Sequence, residues 1–277
     1  MSDFRLKVFQ SVAKNLSFTK ASQELFVSQP AITKHIQELE ATYQTRLFDR
    51  QGSKISLTES GRLLLEHCER ILEDYKRLEY EMHLLHNEYI GELKLGASTT
   101  IAQYVLPPLL GSFIGKFPQV NLSLLNGNSR EIEAALQEHR IDLGLVEGGF
   151  RLPNLKYTTF LEDELVAVVH SKSRLQLPEE ITPQDLPAIP LVLRERGSGT
   201  LDVIERSLQK HGVKLSSLHV LMYLGSTESI KLFLENSDCM GIVSIRSICK
   251  ELAAGTFRVV EIKDMPMLRD FCFVQLQ

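Results

Sequence analysis

The sequence predicts a multidomain chain with a small all-α domain at its start, one long connecting helix, and a larger α/β domain. Three observations predict this division. Apolar residues recur at helical spacing in the first 50 residues, in steps of four and three from residue 64 to residue 89, and in alternating strand-like and helix-like runs after Gly91. The 277 residues exceed one ordinary domain. We therefore expect three parts, residues 1–58, 59–90 and 91–277.

The first part begins with two short predicted helices. Residues 4–13 place five apolar side chains on one helical stripe, namely Phe4, Val8, Phe9, Val12 and Ala13. Ser17 or Thr19 can cap the second helix, because either offers a side-chain oxygen to the free N–H groups of its first turn. The inner face of that helix is formed by Ala21 and Leu25. These two helices predict one side of a small core.

A third helix is predicted after a tight break. Ser28 stands where a helix start needs a side-chain acceptor, and Pro30 falls in the first turn, where a missing N–H costs little. The buried face contains Ile32, Ile36 and Leu39. The opposite face carries small or hydrogen-bonding residues, namely Pro30, Thr33, Lys34 and Gln37, with Gln29 on the flank and His35 in an intermediate direction. This face suits a DNA major groove, where Gln and Lys read base edges and hydroxyls bind phosphates.

A basic hairpin follows the third helix. Residues 46–50 and 55–57 form two predicted strands around Gly52, and Arg50 and Lys54 are placed to meet a DNA backbone or minor groove. Two helices with a tight break and a basic hairpin outline a winged helix-turn-helix, a reader of double-stranded DNA. The alternative is a small three-helix bundle whose polar face meets only water. Periodicity alone does not decide between them.

Four segments in this region resemble the LysR-type transcriptional regulators in their order and spacing, and the similarity continues through most of the chain. The segments are SFTKAS, VSQPAITKHIQELE, RLFDR and LTESGR. The resemblance implies a dimeric or tetrameric DNA-binding regulator whose C-terminal half senses a small molecule. Carried over position by position, it implies DNA contacts at Ser28, Gln29, Pro30, Thr33, Lys34 and Arg50.

The charge distribution agrees with DNA contact at one end of the chain. The net charge is −4, but residues 1–60 contain eight Lys or Arg and six Asp or Glu, so this part is slightly basic and the remainder acidic. A local excess of two positive charges is too small to prove DNA binding. Specificity has to come from the placement of individual side chains.

The four cysteines, Cys68, Cys239, Cys249 and Cys272, show neither CxxC spacing nor a nearby histidine cluster, and there is no secretory leader. We expect reduced, mostly buried thiols in a cytoplasmic protein, with no structural metal. No run approaches the ~20 apolar residues that span a bilayer, so we expect no membrane partner.

The connecting segment, from Thr58 to about Tyr89, carries the 3.5-residue period of a coiled-coil seam. The seam residues are Leu64, Cys68, Ile71, Tyr75, Leu78, Met82, Leu85 and Tyr89. We expect a dimerising helix, and two DNA-binding domains on a paired helix can bind the two half-sites of an interrupted palindrome. The alternative is a long surface helix that packs on its own chain. The pattern leaves a homodimer and a homotetramer open.

After Gly91 the chain alternates between strands and helices, which predicts a parallel α/β sheet covered on both faces. About 185 residues are long for one sheet, so two similar lobes are expected. The resemblance implies the periplasmic-binding-protein-like fold of LysR effector domains. Lobe one would be formed by residues 91–162 and 265–277, and lobe two by residues 163–264.

The strand-to-helix junctions carry the predicted effector site. Small hydroxyl residues and free backbone N–H groups at helix N-termini favour anions, and the carboxyl ends of parallel strands are where ligands bind. The alternative at each junction is ordinary helix capping. The predicted effector-binding residues are Ser98, Thr99, Thr100, Asn128, Ser129, Glu147, Arg196, Ser198, Gly199, Thr200, Ser226 and Thr227.

Two charged residues have separate roles in this prediction. Arg196 would neutralise a carboxylate or oxyanion, and Glu147 would receive an amine or point to solvent. No cofactor is expected beyond a small-molecule co-effector, an oxyanion or a carboxylate. The GSGT and LGSTESIK segments are similar to those of family members that sense sulfur metabolites or small oxyanions.

The sequence lacks the motifs of two other classes of protein, an enzyme and a transport-type binding protein. An enzyme would need a catalytic or nucleotide-binding motif, and the chain has no GxxxxGK[ST], GxGxxG after a strand, GxSxG or HExxH. A transport-type binding protein with the same fold would need an export signal, whereas the N-terminus is a predicted DNA-binding helix. We therefore expect no catalytic residues.

The C-terminus is expected to form a strand. Residues 269–277 read as the strand that returns to lobe one, whereas family members usually continue into a further helix. Either this sequence is clipped or that last helix is absent.

Overall fold

The computed structural model describes residues 4–51, 54–85, 89–148 and 151–277. The chain divides into two compact units, residues 1–90 and residues 91–277. Within the described residues, no helix has both the length and the apolar character that a membrane crossing requires.

The first unit is a winged helix-turn-helix followed by a long helix. Ser17, and not Thr19, caps the second helix, because its hydroxyl accepts a hydrogen bond of 3.2 Å from the Lys20 N–H. The Ser28 hydroxyl accepts in the same way from the Ala31 N–H at 3.4 Å. Both helix starts therefore follow from the caps in the sequence. The elements are α1 (Phe4–Asn15), α2 (Phe18–Glu24), α3 (Gln29–Tyr43), β1 (Phe48–Gln51), β2 (Lys54–Leu57) and α4 (Glu59–Leu85).

One apolar core joins all of these elements. Phe9 of α1, Ile32 of α3 and Leu47 before the hairpin are each at most 1% exposed and pack together with Ala21 of α2. Truncating a buried aromatic side chain of this kind to alanine costs about 3–5 kcal/mol. The outward face of α3 is thus positioned by the burial of its inner face.

Helix α4 is used in two ways along its length. Cys68 and Leu72 are buried in the core of the first unit, and the Cys68 thiol donates a hydrogen bond to the Leu6 carbonyl oxygen at 3.3 Å. Further along, Leu78, Met82 and Leu85 are each more than half exposed. Cys68 therefore belongs to the fold of its own chain, contrary to its place in the predicted seam. The predicted seam residues that are more than half exposed lie in the second half of the helix.

The second unit contains one large mixed sheet. Its elements in lobe one are β3 (Gly91–Ser98), a π-helical turn (Ile101–Val105), α5 (Leu106–Lys116), β4 (Val120–Gly127), α6 (Ser129–Gln137) and β5 (Leu143–Glu147). Then follow β6 (Leu155–His170), β7 (Glu180–Ile181), β8 (Leu191–Arg194), α7 (Gly199–Lys210), β9 (Val220–Leu224), α8 (Thr227–Glu235), β10 (Met240–Ser244), α9 (Cys249–Ala253), β11 (Phe257–Ile262) and β12 (Met267–Leu276). The strand order is β4-β3-β5-β12-β6-β10-β8-β9, and β11 pairs with β6.

The prediction of an all-parallel sheet is wrong at its centre. β3 is parallel to β4 and β5, and β8 is parallel to β9 and β10. β6 and β12, however, run antiparallel to each other and to their other neighbours in the sheet. The physical reason is the path of the chain, because β6 leads from lobe one into lobe two and β12 returns.

Each lobe has apolar cores on both faces of its part of the sheet. In lobe two, Leu191 and Leu193 belong to one buried cluster, and Val192 between them belongs to another. In lobe one, Leu145 and Val146 are divided between two clusters in the same way. Successive side chains of a strand point to opposite faces, so the sheet is covered on both sides. Buried polar residues are found at the ends of several of its strands.

Candidate DNA interface and effector site

The candidate DNA interface is the first half of α3. Ser28, Gln29, Pro30 and Lys34 are exposed, whereas Thr33 is half-buried and its hydroxyl donates to the Gln29 carbonyl oxygen at 3.1 Å. Lys34 lies 4.0 Å from Glu38 with most of its side chain in solvent. An exposed pair of this kind contributes at most about 1 kcal/mol, so the ammonium group can change partners at little cost.

Two further basic positions flank this face. His35 is directed toward the fold, because its ring meets the ring of Phe4 edge-on with centroids 5.5 Å apart. Arg50 lies on β1, where its backbone pairs with Ile55. The side chains of Arg50 and Lys54, and residues 52 and 53 at the hairpin turn, lie outside the described residues.

The candidate effector site begins where β3 and β5 end in lobe one. The hydroxyls of Ser98 and Thr100 both donate to the carboxylate of Glu147, the second at 3.1 Å. The Ser129 hydroxyl at the start of α6 donates to the Glu147 carbonyl oxygen at 2.8 Å. Glu147 is only 3% exposed, so it does not point to solvent. Three predicted residues thus converge on a fourth.

A buried arginine completes the surroundings of Glu147. Arg269 of β12 places Nη1 3.4 Å from Glu147 Oε1 and donates from the same nitrogen to the Thr200 hydroxyl at 2.9 Å. It also donates from Nε to Asp163 Oδ2 at 2.8 Å. The carboxylate of Asp163 in turn accepts from the Ser244 hydroxyl at 2.7 Å. This network joins both lobes, and removing one member of such a buried ion pair costs about 3–5 kcal/mol.

The start of α7 lies directly against the end of β5. A Cβ atom on Gly199 would fall 2.0 Å from the Glu147 carbonyl oxygen, so a side chain cannot be accommodated there. Gly148, next along the chain, has a φ of 118° that favours glycine. Across the same contact, the Arg130 N–H donates to the Gly197 carbonyl oxygen at 3.4 Å, and Asn128 caps α6 beside it. The predicted residues Asn128, Ser198, Gly199 and Thr200 are brought together with Glu147.

Arg194, at the end of β8, is the buried arginine on the other side of Thr99. It is 1% exposed and donates from Nη2 to the Thr99 hydroxyl and to the Gly225 carbonyl oxygen, both at 3.3 Å. Glu195 accepts from its Nε at 2.9 Å. Among the described residues, no partner lies within hydrogen-bonding reach of Nη1. A buried guanidinium nitrogen without an acceptor is costly, and a bound anion would supply one.

The prediction named Arg196 for this role, and the structure places that side chain on the surface. The difference follows from the strand, because β8 is buried on both faces and Arg194 is its last residue. Ser226 caps α8 by accepting from the Ser229 N–H at 3.1 Å, and Thr227 is buried beside it. These two residues adjoin Gly225, which contacts Arg194.

A second polar contact joins the lobes near Arg194. The Tyr104 hydroxyl, in the π-helical turn, donates to Glu228 of α8, and Lys231 donates to Glu228 at 2.8 Å. Burial opposes the charged form of Glu228, but the hydrogen bonds from Lys231 and Tyr104 outweigh it and hold the pKa of this carboxyl below its ordinary value of 4.5. Burial likewise opposes the charge on Lys231, but Glu228 and Glu251 raise its pKa above 10.5.

Sequence reasoning did not single out Arg194, Arg269 and Tyr104. A usable signal existed for the first two, because Arg194 ends the buried run LVLR and Arg269 shares the period-2 buried face of Met267 and Phe271. Two surface depressions of about 470 and 510 Å³ lie elsewhere in the second unit, and neither is lined by a residue of the strand-end junctions. No cluster of three or more metal-ligating side chains occurs in the part of the chain that the structure describes.

A winged helix-turn-helix joined to a two-lobed α/β domain with polar strand ends defines a DNA-binding regulator with a sensing domain. Residues 4–62 match the family model for the bacterial regulatory helix-turn-helix protein of the lysR family, and residues 86–277 match the model for the LysR substrate binding domain. The chain therefore belongs to the LysR family of transcriptional regulators. It is a regulator and not an enzyme.

Individual relatives agree with this assignment. The chain is 29% identical to the HTH-type transcriptional regulator CysL of Bacillus subtilis over 269 residues, which cover 97% of this chain and 89% of CysL. The full-length structure of CbnR with its target DNA matches with a TM-score of 0.63 at 23% identity, covering 100% of this chain and 94% of that one. The Synechocystis CcmR regulatory domain in complex with 2-PG matches with a TM-score of 0.60 at 28% identity, covering 67% and 88%.

Proposed function

We propose that this LysR-type regulator is controlled by a small anion bound between the two lobes beside Arg194, and that α3 reads its operator. The observation that carries the effector proposal is the buried Arg194 with Nη1 unpaired among the described residues. Burial of a guanidinium group is expensive unless each donor has an acceptor. Thr99 holds Arg194 in place by accepting from its Nη2, and the start of α8 adds the buried hydroxyl of Thr227 and the favourable end of a helix dipole.

The regulatory domain of CcmR, which resembles this chain in fold and sequence, was solved with a small molecule, 2-PG. This supports a small-molecule effector for the present chain, and Arg194 supports an anionic one. The proposed effector is a carboxylate or an oxyanion. The residues proposed to surround it are Thr99, Arg194, Ser226 and Thr227.

The proposed DNA contacts are Ser28, Gln29, Pro30, Thr33, Lys34 and Arg50. The exposure of Ser28, Gln29, Pro30 and Lys34 supports four of these six residues, because a helix that enters a major groove needs a polar face free of its own core. The exposed apolar residues Leu78, Met82 and Leu85 support pairing of α4 with a second copy. A homodimer, or a homotetramer built from it, would bind an operator with an interrupted palindrome in the cytoplasm.

Effector and operator are proposed to be coupled. An anion that bridges the lobes would change their packing in the oligomer and so the spacing of the DNA-binding domains. Such coupling is reciprocal, so the operator must change the affinity for the anion by the same factor as the anion changes the affinity for the operator. Equal anion affinity with and without operator would exclude the coupling.

The decisive experiment compares two neighbouring arginines. Sulfate and acetate are titrated by calorimetry into the wild type, Arg194→Gln and Arg196→Gln, with and without DNA selected by this protein from a random pool. We expect Arg194→Gln to weaken anion binding about tenfold or more, because a charge-assisted hydrogen bond contributes about 1.5–3 kcal/mol. Arg196→Gln is expected to bind nearly as the wild type does. Loss of binding in Arg196→Gln alone would overturn the assignment to Arg194.

The pairing of α4 has its own test. Leu78→Lys together with Met82→Lys changes two exposed residues and should leave the core of the first unit intact. We expect a shift toward monomer in sedimentation and a matching loss of operator affinity. Unchanged sedimentation would place the dimer contact elsewhere.

A further inference from the structure

The carboxylate of Glu147 lies among groups that bind free anions in other proteins. It accepts from the hydroxyls of Ser98 and Thr100 and pairs with the guanidinium of Arg269. Two hydroxyl donors and one arginine around one carboxylate form a complete anion site. The ligand of this site is a side chain of the protein itself.

The residues around Glu147 exclude solvent and leave no room for a further side chain. Glu147, Thr100 and Arg269 are each at most 5% exposed, and Gly199 approaches the Glu147 backbone too closely to allow a side chain. Arg269 also donates to the hydroxyl of Thr200, at the N-terminus of α7. The side-chain donors to Glu147 therefore all come from lobe one, and lobe two closes this position with Gly199 and with Thr200, which accepts from Arg269.

The proposed anion position at Arg194 is next to the position that Glu147 occupies. The backbone of residues 98–100 separates these two positions. Ser98 and Thr100 direct their hydroxyls to Glu147, whereas Thr99 between them donates to the Gly127 carbonyl oxygen and accepts from Arg194. Two of these three consecutive residues therefore bind the carboxylate of Glu147, and the third binds Arg194. Arg194 has one guanidinium nitrogen, Nη1, without a partner among the described residues.

We propose that Glu147 is a built-in carboxylate that fills one of two adjacent anion subsites, so that the cleft selects effectors with a single anionic group. A second anionic group on the effector would have to enter beside Glu147, where like charges in a buried site repel. Glu147 is then a specificity-determining residue. The selection of a single anionic group rests on the proposed anion binding at Arg194, but the occupation of the first subsite by Glu147 does not.

The first test is chemical rescue. In Glu147→Ala the carboxylate is removed and a cavity is left beside Arg269. We expect the unfolding midpoint to fall by about 10 °C and to recover most of that loss in formate, because a ligand that binds only the folded state stabilises it. Chloride at the same ionic strength should restore much less. Equal recovery in formate and chloride would overturn the proposal.

Glu133→Ala is the matched control. Glu133 is also a buried carboxylate, 6% exposed, but the hydrogen bond that it accepts comes from the neutral hydroxyl of Tyr157 at 2.7 Å. Its removal leaves a cavity without a bonded guanidinium group, so formate should not stabilise it beyond chloride. Equal formate rescue in both variants would show a general effect of formate and would overturn the proposal.

Glu147→Gln provides the second test and decides the case if Glu147→Ala does not fold. The glutamine keeps the volume and removes the charge. Acetate and succinate are titrated into both proteins, and we expect the wild type to prefer acetate and the preference to fall about tenfold in Glu147→Gln. An unchanged ratio would overturn the specificity role. The formate rescue does not require anion binding at Arg194, so its outcome is separate from a failure of the proposed function.

Discussion

The first half of α3 and the strand-end junctions of the second unit use the same kinds of residue in opposite ways. On α3, Ser28, Gln29 and Lys34 are exposed. At the junctions, Ser98, Thr100 and Glu147 are buried and bonded to one another. Water can satisfy an exposed polar group at no cost, whereas a buried one needs a partner within the protein. An unpaired donor therefore indicates a missing binding partner where it is buried at the junctions. It indicates nothing where it is exposed on α3.

The largest expected effect is a loss of operator specificity when exposed residues of α3 are replaced. Replacing Gln29, Thr33 and Lys34 by alanine together should abolish operator choice, a loss of about a thousandfold or more in the ratio of operator to random DNA, because good base contacts contribute about 1–3 kcal/mol each. Dimerisation and anion binding should be intact. Lys14→Ala, on α1, is the control, and retained sequence preference in the triple variant would contradict the assignment.

The next largest expected effect is a loss of stability when a buried residue of the junctions is replaced. Arg269→Ala should lower the free energy of unfolding of the second unit by about 3–5 kcal/mol, because Glu147 and Asp163 would lose their common partner. Lys34→Ala should change stability by less than about 0.5 kcal/mol, since its ion pair is exposed. Urea unfolding of both variants measures the contrast. Equal effects would show that burial does not distinguish the two regions.

A smaller effect should appear as a pH dependence of the contact between the lobes. Glu228 has a lowered pKa, so its contribution to stability is full above its unfolded value of 4.5 and is lost as the pH falls through the folded pKa. Lys231 has a raised pKa, so its contribution is full below 10.5 and is lost as the pH rises through the folded pKa. The stability difference between the wild type and Glu228→Gln should be flat near neutral pH and shrink at both extremes. Because Glu228 is half exposed, we expect less than about 1 kcal/mol.

The smallest expected effect is a difference in the rate of cysteine alkylation, which reports how well the core of each unit excludes solvent. Burial is the main cause that raises the pKa of the Cys68 thiol in the first unit to about 12 and that of Cys239 in the second to about 11. Cys249 is exposed. Iodoacetamide at pH 8 should therefore label Cys249 first and leave Cys68 and Cys239 unlabelled until unfolding. Early labelling of Cys68 alone would show that the first unit opens more readily.

Local patterns predicted most of the elements and fewer of the contacts. The caps at Ser17 and Ser28 and the strands after Gly91 follow from chemistry within a few residues. The first half of β6 carries no such pattern, because the run LKYTTFLED mixes polar and apolar residues without alternation. Its partner strand, β12, is more than 100 residues away along the chain. Such pairing is decided by tertiary contacts that no local pattern contains.

The candidate site shows the same limit. The hydroxyl residues at the junctions were found because each also caps or precedes a helix. The identity of the buried arginine was not found, because Arg194 and Arg196 differ only in whether the strand still continues. The split of the α4 seam between the core at Cys68 and the exposed surface at Leu78 also depends on where α1 packs, which a seven-residue period does not encode.

The long pair of strands that crosses from one lobe to the other has a mechanical consequence. β6 and β12 are hydrogen-bonded over their whole common length, and the register shifts by one residue at Phe160, opposite the step from Phe271 to Cys272. A two-stranded ribbon twists more readily than it stretches, and a bulge adds local twist. We therefore expect any movement of one lobe against the other to be mainly a rotation about this ribbon. The angle of that rotation would then be the quantity that an effector changes.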